Sequence, residues 1–173
     1  MTVIETPRLR LRPWSNADAT ALFELARDPR IGMLCGWKPF DRIGDAHEAL
    51  STVLAAPDSY AVTLASAGEI VGSIALRIDT GSPEASVADI GYWIGAPYWG
   101  NGYATEAGEA IIERARELGV QMIVLKYFDG NGASRRVSEK LGFTWRSSEE
   151  GVEYPLIGKR LTVHRTELVL SGR

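Results

Sequence analysis

Asp89-Ile-Gly-Tyr-Trp-Ile-Gly-Ala-Pro-Tyr-Trp-Gly-Asn-Gly-Tyr-Ala-Thr-Glu-Ala107 is the stretch that decides the fold. It opens in a strand over residues 87–94 and runs through a loop into a helix over residues 103–118. Ala104, Ala107, Ile111, Ile112, Ala115 and Leu118 keep a 3.6-residue period, and Gly119 stands where a C-terminal cap belongs. Gly100 and Gly102 let the loop curl until several N–H groups converge. The first helical turn adds unpaired N–H groups and the positive end of the dipole. Together these suit a phosphate or pyrophosphate. A plain strand-to-helix turn uses the same glycines, so the loop alone does not choose between the two. A P-loop is excluded, because Asn101 follows Gly100 and no lysine is near. A dinucleotide fingerprint is disfavoured, because Thr105 stands where a third small residue belongs.

A second informative stretch is Asp129-Gly-Asn-Gly-Ala-Ser-Arg-Arg-Val-Ser-Glu-Lys-Leu-Gly-Phe143. It follows an apolar strand over 121–128 and forms a short helix over 133–141, ended by Gly142. Asn131 and Ser134 flank the start of that helix, where either caps it or meets a ligand.

Working outward, residues 9–12 read as a strand, and Ser15 caps a helix with Asp18 three residues on. Residues 29–42 read as irregular, with a helix over 46–55 capped by Asp45. Strands are expected over 60–66 and 70–79, joined by a turn at Ala67-Gly68-Glu69. A turn over 80–86 leads to the strand at 87–94, and strands over 143–147 and 161–170 end the chain. The order predicts a single α/β (α+β) domain over 1–173, a mixed sheet with helices on its faces.

The chain has 173 residues, a net charge of −3, and 45% apolar residues. The charge excludes the basic face of a nucleic-acid binder and weakly favours a cationic substrate. No apolar run approaches the ~20 residues of a membrane span, and no signal core opens the chain. A cytoplasmic protein, without membrane or nucleic-acid partners, is the expectation. Cys35 has no internal disulfide partner and reads as a small buried residue. His47, His164 and Cys35 show no zinc spacing, so no metal is expected. Both histidines read as structural or exposed. Trp14, Trp37 and Phe40 all fit a core, but Trp37 and Phe40 sit in the glycine-rich segment, which favours them as walls of an acceptor cleft. Glu149, Glu150 and Glu153 read as a solvated acidic loop.

The two stretches resemble the GNAT acetyltransferases, and within them the branch that acetylates the N-termini of ribosomal proteins. Glu5-Thr-Pro-Arg-Leu-Arg-Leu-Arg-Pro-Trp14 is similar to that branch's opening strand, Tyr92-Trp93-Ile94 with Tyr98-Trp-Gly-Asn-Gly-Tyr-Ala-Thr-Glu-Ala107 to its acetyl-CoA motif, and Asn131 through Phe143 to its second motif. The resemblance implies a mostly antiparallel sheet and acetyl-CoA as cosubstrate; a monomer or homodimer is the expectation for assembly. It implies that the Trp93 and Ile94 backbone pairs with the pantetheine arm. Trp99, Gly100, Asn101, Gly102, Tyr103, Ala104 and Thr105 would form the pyrophosphate turn. Asn131 would meet the pantetheine and Ser134 the thioester sulfur. Trp99 replaces the Arg or Gln usual in the wider family. Ser138 occupies the place of a tyrosine acid found in many members, which leaves Ser134 as the acid by analogy.

The expected reaction is attack of a neutral amine on a thioester. An N-terminal α-amine has a pKa of about 7.7–8.0, against about 10.4 for lysine, so a peptide N-terminus needs less help from a base. Asp89, in the strand bordering the cleft, is the first candidate base, with Glu84 and Glu106 behind it. The Ile94 N–H is the expected oxyanion donor, freed by a strand bulge at Gly95. Arg136, and Arg135 beside it, are candidates for the adenosine phosphates. The expected acceptor is a protein or peptide N-terminus. The alternatives are a small amine such as an aminoglycoside or polyamine, or a non-catalytic acyl-CoA-binding module.

Overall fold

Val87–Ile94 forms β5, the strand on which everything else is hung. A computed structural model describes residues 2–79 and 87–170. The turn expected over 80–86, with its candidate base Glu84, lies outside the described residues. From β5 the chain passes a 3-10 turn at Ala96–Tyr98 and enters α4, Tyr103–Glu117. Ala107, Ile111, Ile112 and Ala115 form its buried stripe, as the period requires. It then returns as β6, Met122–Phe128, parallel to β5. This βαβ unit supplies the sheet's parallel pair; every other neighbouring pair among the described strands is antiparallel.

The N-terminal half supplies β1 (Ile4–Glu5), β2 (Leu9–Pro13), α1 (Ala19–Ala26), α2 (Pro29–Cys35), α3 (Ile43–Ser51), β3 (Ser59–Leu64) and β4 (Ile70–Asp79). The C-terminal part adds α5 (Gly132–Lys140), β7 (Thr144–Tyr154) and β8 (Lys159–Val169). The eight described strands run in the order β1-β2-β3-β4-β5-β6-β8-β7. The mixed, mostly antiparallel sheet flanked by helices is therefore borne out.

Two apolar cores lie on opposite faces of this sheet. One joins α4 to Leu11, Val62, Ile74, Ile90, Ile123 and Leu125. The other gathers Leu22, Ala26, Ala46 and Leu50 of α1 and α3, with Trp37, Phe40 and Trp93 packed on it. Because side chains alternate along a strand, β5 sends Ile90 and Tyr92 to the α4 face and Asp89 and Trp93 to the other.

Three local expectations are corrected. Residues 29–35 are helical, not irregular: Asp28 accepts the Arg30 N–H at 2.9 Å, Pro29 takes the first position, and Gly36 closes the helix at φ 80°. Asp45 does not cap α3 as its first residue. The helix starts at Ile43, and the Asp45 carboxylate reaches back to the Arg42 N–H at 3.1 Å. The strand expected over 143–147 runs on through the acidic stretch as β7, paired to β8 along its length.

Candidate active site

β5 and β6 pair from Val87↔Met122 to Ile90↔Leu125 and then part. Residues 91–94 of β5 continue against β4 alone. The Gly95 N–H donates to the Val71 carbonyl at 2.8 Å. Hydrogen-bonded pairs alternate in an antiparallel ladder, so Trp93 and Gly91 also turn their backbone groups toward β4. Tyr92 and Ile94 turn theirs the other way, into the gap left by β6. The Ile94 N–H faces that gap without a strand partner. Its freedom comes from the divergence of β6: the β4–β5 register is unbroken through Ile94, so the bulge expected at Gly95 is not what frees it. The backbone groups turned toward an extended ligand are accordingly those of Tyr92 and Ile94, not those of Trp93; the Ile94 N–H is free, while the Ile94 carbonyl accepts from the Trp99 indole and the Tyr92 carbonyl has the Cys35 thiol at 4.0 Å.

The expected phosphate turn stands at the mouth of this gap. Gly100 and Gly102 adopt φ of 80° and 79°, a region in which a side chain is strained. They bring the loop into the N-terminus of α4, whose first internal bond is Glu106 N–H to the Gly102 carbonyl. The N–H groups of Tyr103, Ala104 and Thr105 precede that bond and have no helical acceptor. The Trp99 indole N–H donates to the Ile94 carbonyl at 2.6 Å, locking the loop to the end of β5. Asn101 faces away from the cleft: its side-chain amide donates to the Tyr98 carbonyl at 3.0 Å, and its backbone carbonyl accepts from the Arg8 guanidinium at 2.9 Å. It shapes the turn from behind.

These features open into a cleft of about 1000 Å³, lined among others by Tyr92, Trp93, Ile94, Trp99, Gly100, Gly102, Tyr103, Ala104 and Thr105. That volume suits a ligand larger than an ordinary metabolite. Asn131, Ser134, Arg136 and Lys140 line it from α5. Arg135 points elsewhere and pairs with Glu139 at 2.8 Å, so of the two arginines Arg136 is the one in the cleft. A cradle of free N–H groups, an unpaired strand edge and Arg136 with Lys140 fit a phosphorylated thioester with an extended amide arm.

Asn131 performs the capping role, accepting the Ser134 N–H on its side-chain oxygen at 3.1 Å. It is buried and still lines the cleft. The Ser134 hydroxyl meets the Tyr92 phenol at 3.0 Å. Burial pushes the Tyr92 phenol up to about 12, against the opposing effect of the Ser134 hydrogen bond. Tyr92 stood in the sequence as part of a motif without a task; its place on the α4 face of β5, two residues before Ile94, was the available signal. Ser138 is buried and bonds Thr166 at 3.0 Å, in contact with the sheet instead of the cleft.

On the opposite face Trp37 packs at a tilt against Phe40, with ring centroids 5.6 Å apart, and edge-on against Trp93 at 6.4 Å, and all three line the cleft. Tyr154, from the end of β7, packs on Phe128 at 4.7 Å and closes the same end. Cys35 lines the cleft, its thiol pushed up to about 12 by burial and therefore unreactive. Asp89 lies there too, half-buried and paired with Arg77 at 3.0 Å. Burial raises its carboxyl above the ordinary range, and Arg77, Lys126 and Arg165 oppose the shift without cancelling it. A carboxylate held above its usual pKa beside an aromatic cleft is suited to taking a proton.

Glu106 is not a base. It lies outside the cleft and accepts from the Thr6 hydroxyl at 2.6 Å, the Arg8 N–H at 2.9 Å and the Arg8 guanidinium at 2.7 Å. Burial alone would raise its pKa, but these partners outweigh it and lower it. The lowered value means Glu106 stabilises the fold above the unfolded pKa of about 4.3, and the contribution fades as pH falls through the folded value. Glu106→Gln is expected to cost about 2 kcal/mol at pH 7 and less in acid, with turnover per folded molecule unchanged, as read by urea unfolding and a rate assay. His47 is exposed, as expected. His164 joins Ser148 at 2.7 Å and Asp129 at 3.0 Å outside the cleft. Among the described residues no group of His, Cys, Asp and Glu side chains is placed to hold a metal, and no helix is long and apolar enough to cross a membrane.

Comparison with known proteins agrees with this geometry. The GNAT acetyltransferase domain matches residues 8–144. An uncharacterised N-acetyltransferase of Bacillus subtilis, YoaA, is 27% identical over 156 residues, covering 87% of this chain and 85% of its own. A GNAT-family acetyltransferase from Bacillus anthracis superposes with a TM-score of 0.86 at 21% identity, over 97% of this chain and 98% of that one. The ribosomal-protein-S5-alanine acetyltransferase of Vibrio fischeri superposes at 0.79 with 18% identity, over 98% and 97%. A splayed strand pair, a glycine turn on a helix N-terminus and a family match across most of the chain have one common reading: the chain belongs to the GNAT family and is an N-acetyltransferase, the class whose acyl donor is acetyl-CoA.

Proposed function

We propose that the acceptor is the N-terminal α-amine of a protein or peptide. The observation that carries this is the charge of the cleft. Among the described lining residues Asp89 is the one carboxylate; Arg77, paired with it at 3.0 Å, and Lys126 offset it, while Arg136 and Lys140 lie on the phosphate side. A polyamine or aminoglycoside brings several positive charges, for which this lining offers a single carboxylate, already paired with Arg77. A peptide N-terminus brings one, with an apolar chain behind it that suits Trp37, Phe40 and Trp93. The likeness to the Vibrio fischeri enzyme supports the same acceptor class.

In this account Tyr92 and Ile94 offer their backbone to the pantetheine arm. Residues 100–105, with Arg136 and Lys140, hold the phosphates. Acetyl-CoA supplies an activated acetyl thioester. Asp89 takes the proton that the attacking nitrogen loses, directly or through water. The Ile94 N–H donates to the carbonyl oxygen as it gains charge, and the Ser134 hydroxyl donates to the departing sulfur. The N–C bond forms as the C–S bond breaks, and the proton lost at nitrogen is balanced by one gained at sulfur. The whole described fold acts as one transferase domain.

The test is release of CoA thiol from acetyl-CoA with a panel of acceptors. Peptides with free N-termini are expected to be turned over at least about tenfold faster, by kcat/KM, than spermidine, an aminoglycoside or an N-blocked lysine peptide. Faster release with the polycations would overturn the peptide acceptor. Binding of acetyl-CoA with no release for any amine would favour a non-catalytic module.

A further inference from the structure

We infer that Tyr92 is a positioning residue for the leaving-group step: its hydroxyl donates to the Ser134 oxygen and thereby turns the Ser134 hydrogen toward the departing sulfur. The inference rests on the acetyl transfer proposed above, and it deepens it at one atom.

The two hydroxyls are 3.0 Å apart, on different elements, and both line the cleft. Either could donate by distance alone. A phenol is the stronger donor of the two, so the lower-energy arrangement has Tyr92 donating and Ser134 accepting. Ser134 then keeps its own hydrogen, and among the described residues its oxygen has no protein acceptor for it. Asn131 fixes the Ser134 backbone through the N–H bond at 3.1 Å, so the side chain's remaining freedom is rotation of the hydroxyl. Tyr92 removes that freedom as well. A donor already aimed where charge develops needs no reorganisation when the C–S bond breaks.

Tyr92 does not give up its proton. Burial holds the phenol at about 12, while an ordinary thiol ionises near ~8.5, so transfer from phenol to thiolate runs uphill by several units. The thiol of Cys35 on α2, also pushed up to about 12, lies 4.0 Å from the Tyr92 backbone carbonyl and stays protonated as well. The pair Tyr92–Ser134 therefore acts by hydrogen bonding: the sulfur leaves as a thiolate held by the Ser134 hydroxyl and takes its proton from solvent, to which Asp89 returns the proton lost by the nitrogen. With Ser138 directed into the sheet, Tyr92 is the phenol that reaches this point, and it does so from the strand instead of the helix.

The experiment compares the intact protein with Tyr92→Phe, Ser134→Ala and the double variant. The first readout needs no turnover: the ultraviolet thiolate absorbance of bound CoA is followed against pH. A donor aimed at sulfur favours the thiolate, so the bound thiol is expected to ionise on the order of one unit below its free value in the parent protein. Tyr92→Phe is expected to return most of that shift, while the part due to Arg136 and Lys140 remains. The second readout is kinetic. Tyr92→Phe is expected to lower kcat about tenfold with the acetyl-CoA KM unchanged, and the double variant to be no slower than Ser134→Ala, because both act through one bond. An unchanged thiol ionisation in Tyr92→Phe, or losses that simply multiply in the double variant, would overturn the inference while leaving acetyl transfer intact. Failure of the parent protein to bind CoA would overturn the proposed function, and this inference with it.

Discussion

Gly72→Ala is expected to abolish acetyl-CoA binding and to cost about 3 kcal/mol of stability, the upper part of the range for overpacking a tight site. A Cβ at Gly72 would stand 2.3 Å from the Trp93 carbonyl oxygen, 2.8 Å from the Ile94 Cδ1 and 3.0 Å from the Ile94 Cα. Two of these three atoms are backbone, held by the β4–β5 ladder, and cannot swing aside as a side-chain end would. Relief requires β4 and β5 to separate at Ile94. That is the residue whose free N–H faces the ligand gap, so stability and binding fall together. Gly44→Ala is the contrast. Its Cβ would come no nearer than 3.7 Å, to the Arg42 side chain, within α3. It should leave binding unchanged and raise stability by about 0.5 kcal/mol by restricting the unfolded chain. Chemical unfolding and calorimetric titration with acetyl-CoA check both.

Asp89→Asn is expected to slow acetyl transfer about 100-fold without destabilising the protein. Burial raises the Asp89 carboxyl, so the folded state binds its proton more tightly than the unfolded state does. Such a group adds stability below the unfolded pKa and loses it as pH rises through the folded value. At pH 7 the charged form is therefore tolerated, not favoured. The neutral amide removes that cost and forfeits a pairing with Arg77 that is largely exposed and worth little. The rate of the parent enzyme should fall as pH drops through the raised pKa, because the base must be unprotonated. That limb should vanish in the variant. A variant both unstable and inactive would mark Asp89 as structural.

The βαβ unit was legible because its signals are local: an alternating strand, two glycines, a helical period and a glycine stop, all within 33 residues of chain from Val87 to Gly119. The cleft's floor was legible for the same reason, since Trp93, Ile94, Gly100, Gly102, Asn131 and Ser134 lie inside those motifs. Helix α2 carried its signals too, with Asp28 before Pro29 and Gly36 after Cys35. They were outweighed by Gly32, whose role is tertiary: a Cβ there would stand 2.5 Å from the Trp37 carbonyl. The extent of β7 was hidden by Glu149, Glu150 and Glu153, which suit an exposed edge strand as well as a loop. Glu106 looked like a candidate base until Arg8, 98 residues away, was seen to hold it. Tyr92 needed the same kind of information, because its partner Ser134 is 42 residues downstream. Long-range pairings of this kind leave no periodic trace.

The most direct test of the central claim is to locate the acetyl group itself. A peptide with a free N-terminus and one internal lysine is incubated with acetyl-CoA and the protein, and the product is fragmented in a mass spectrometer. A single acetyl group is expected on the α-nitrogen, formed by the parent protein and about 100-fold more slowly by Asp89→Asn. Acetylation of the lysine side chain, with the α-amine left free, would contradict that claim.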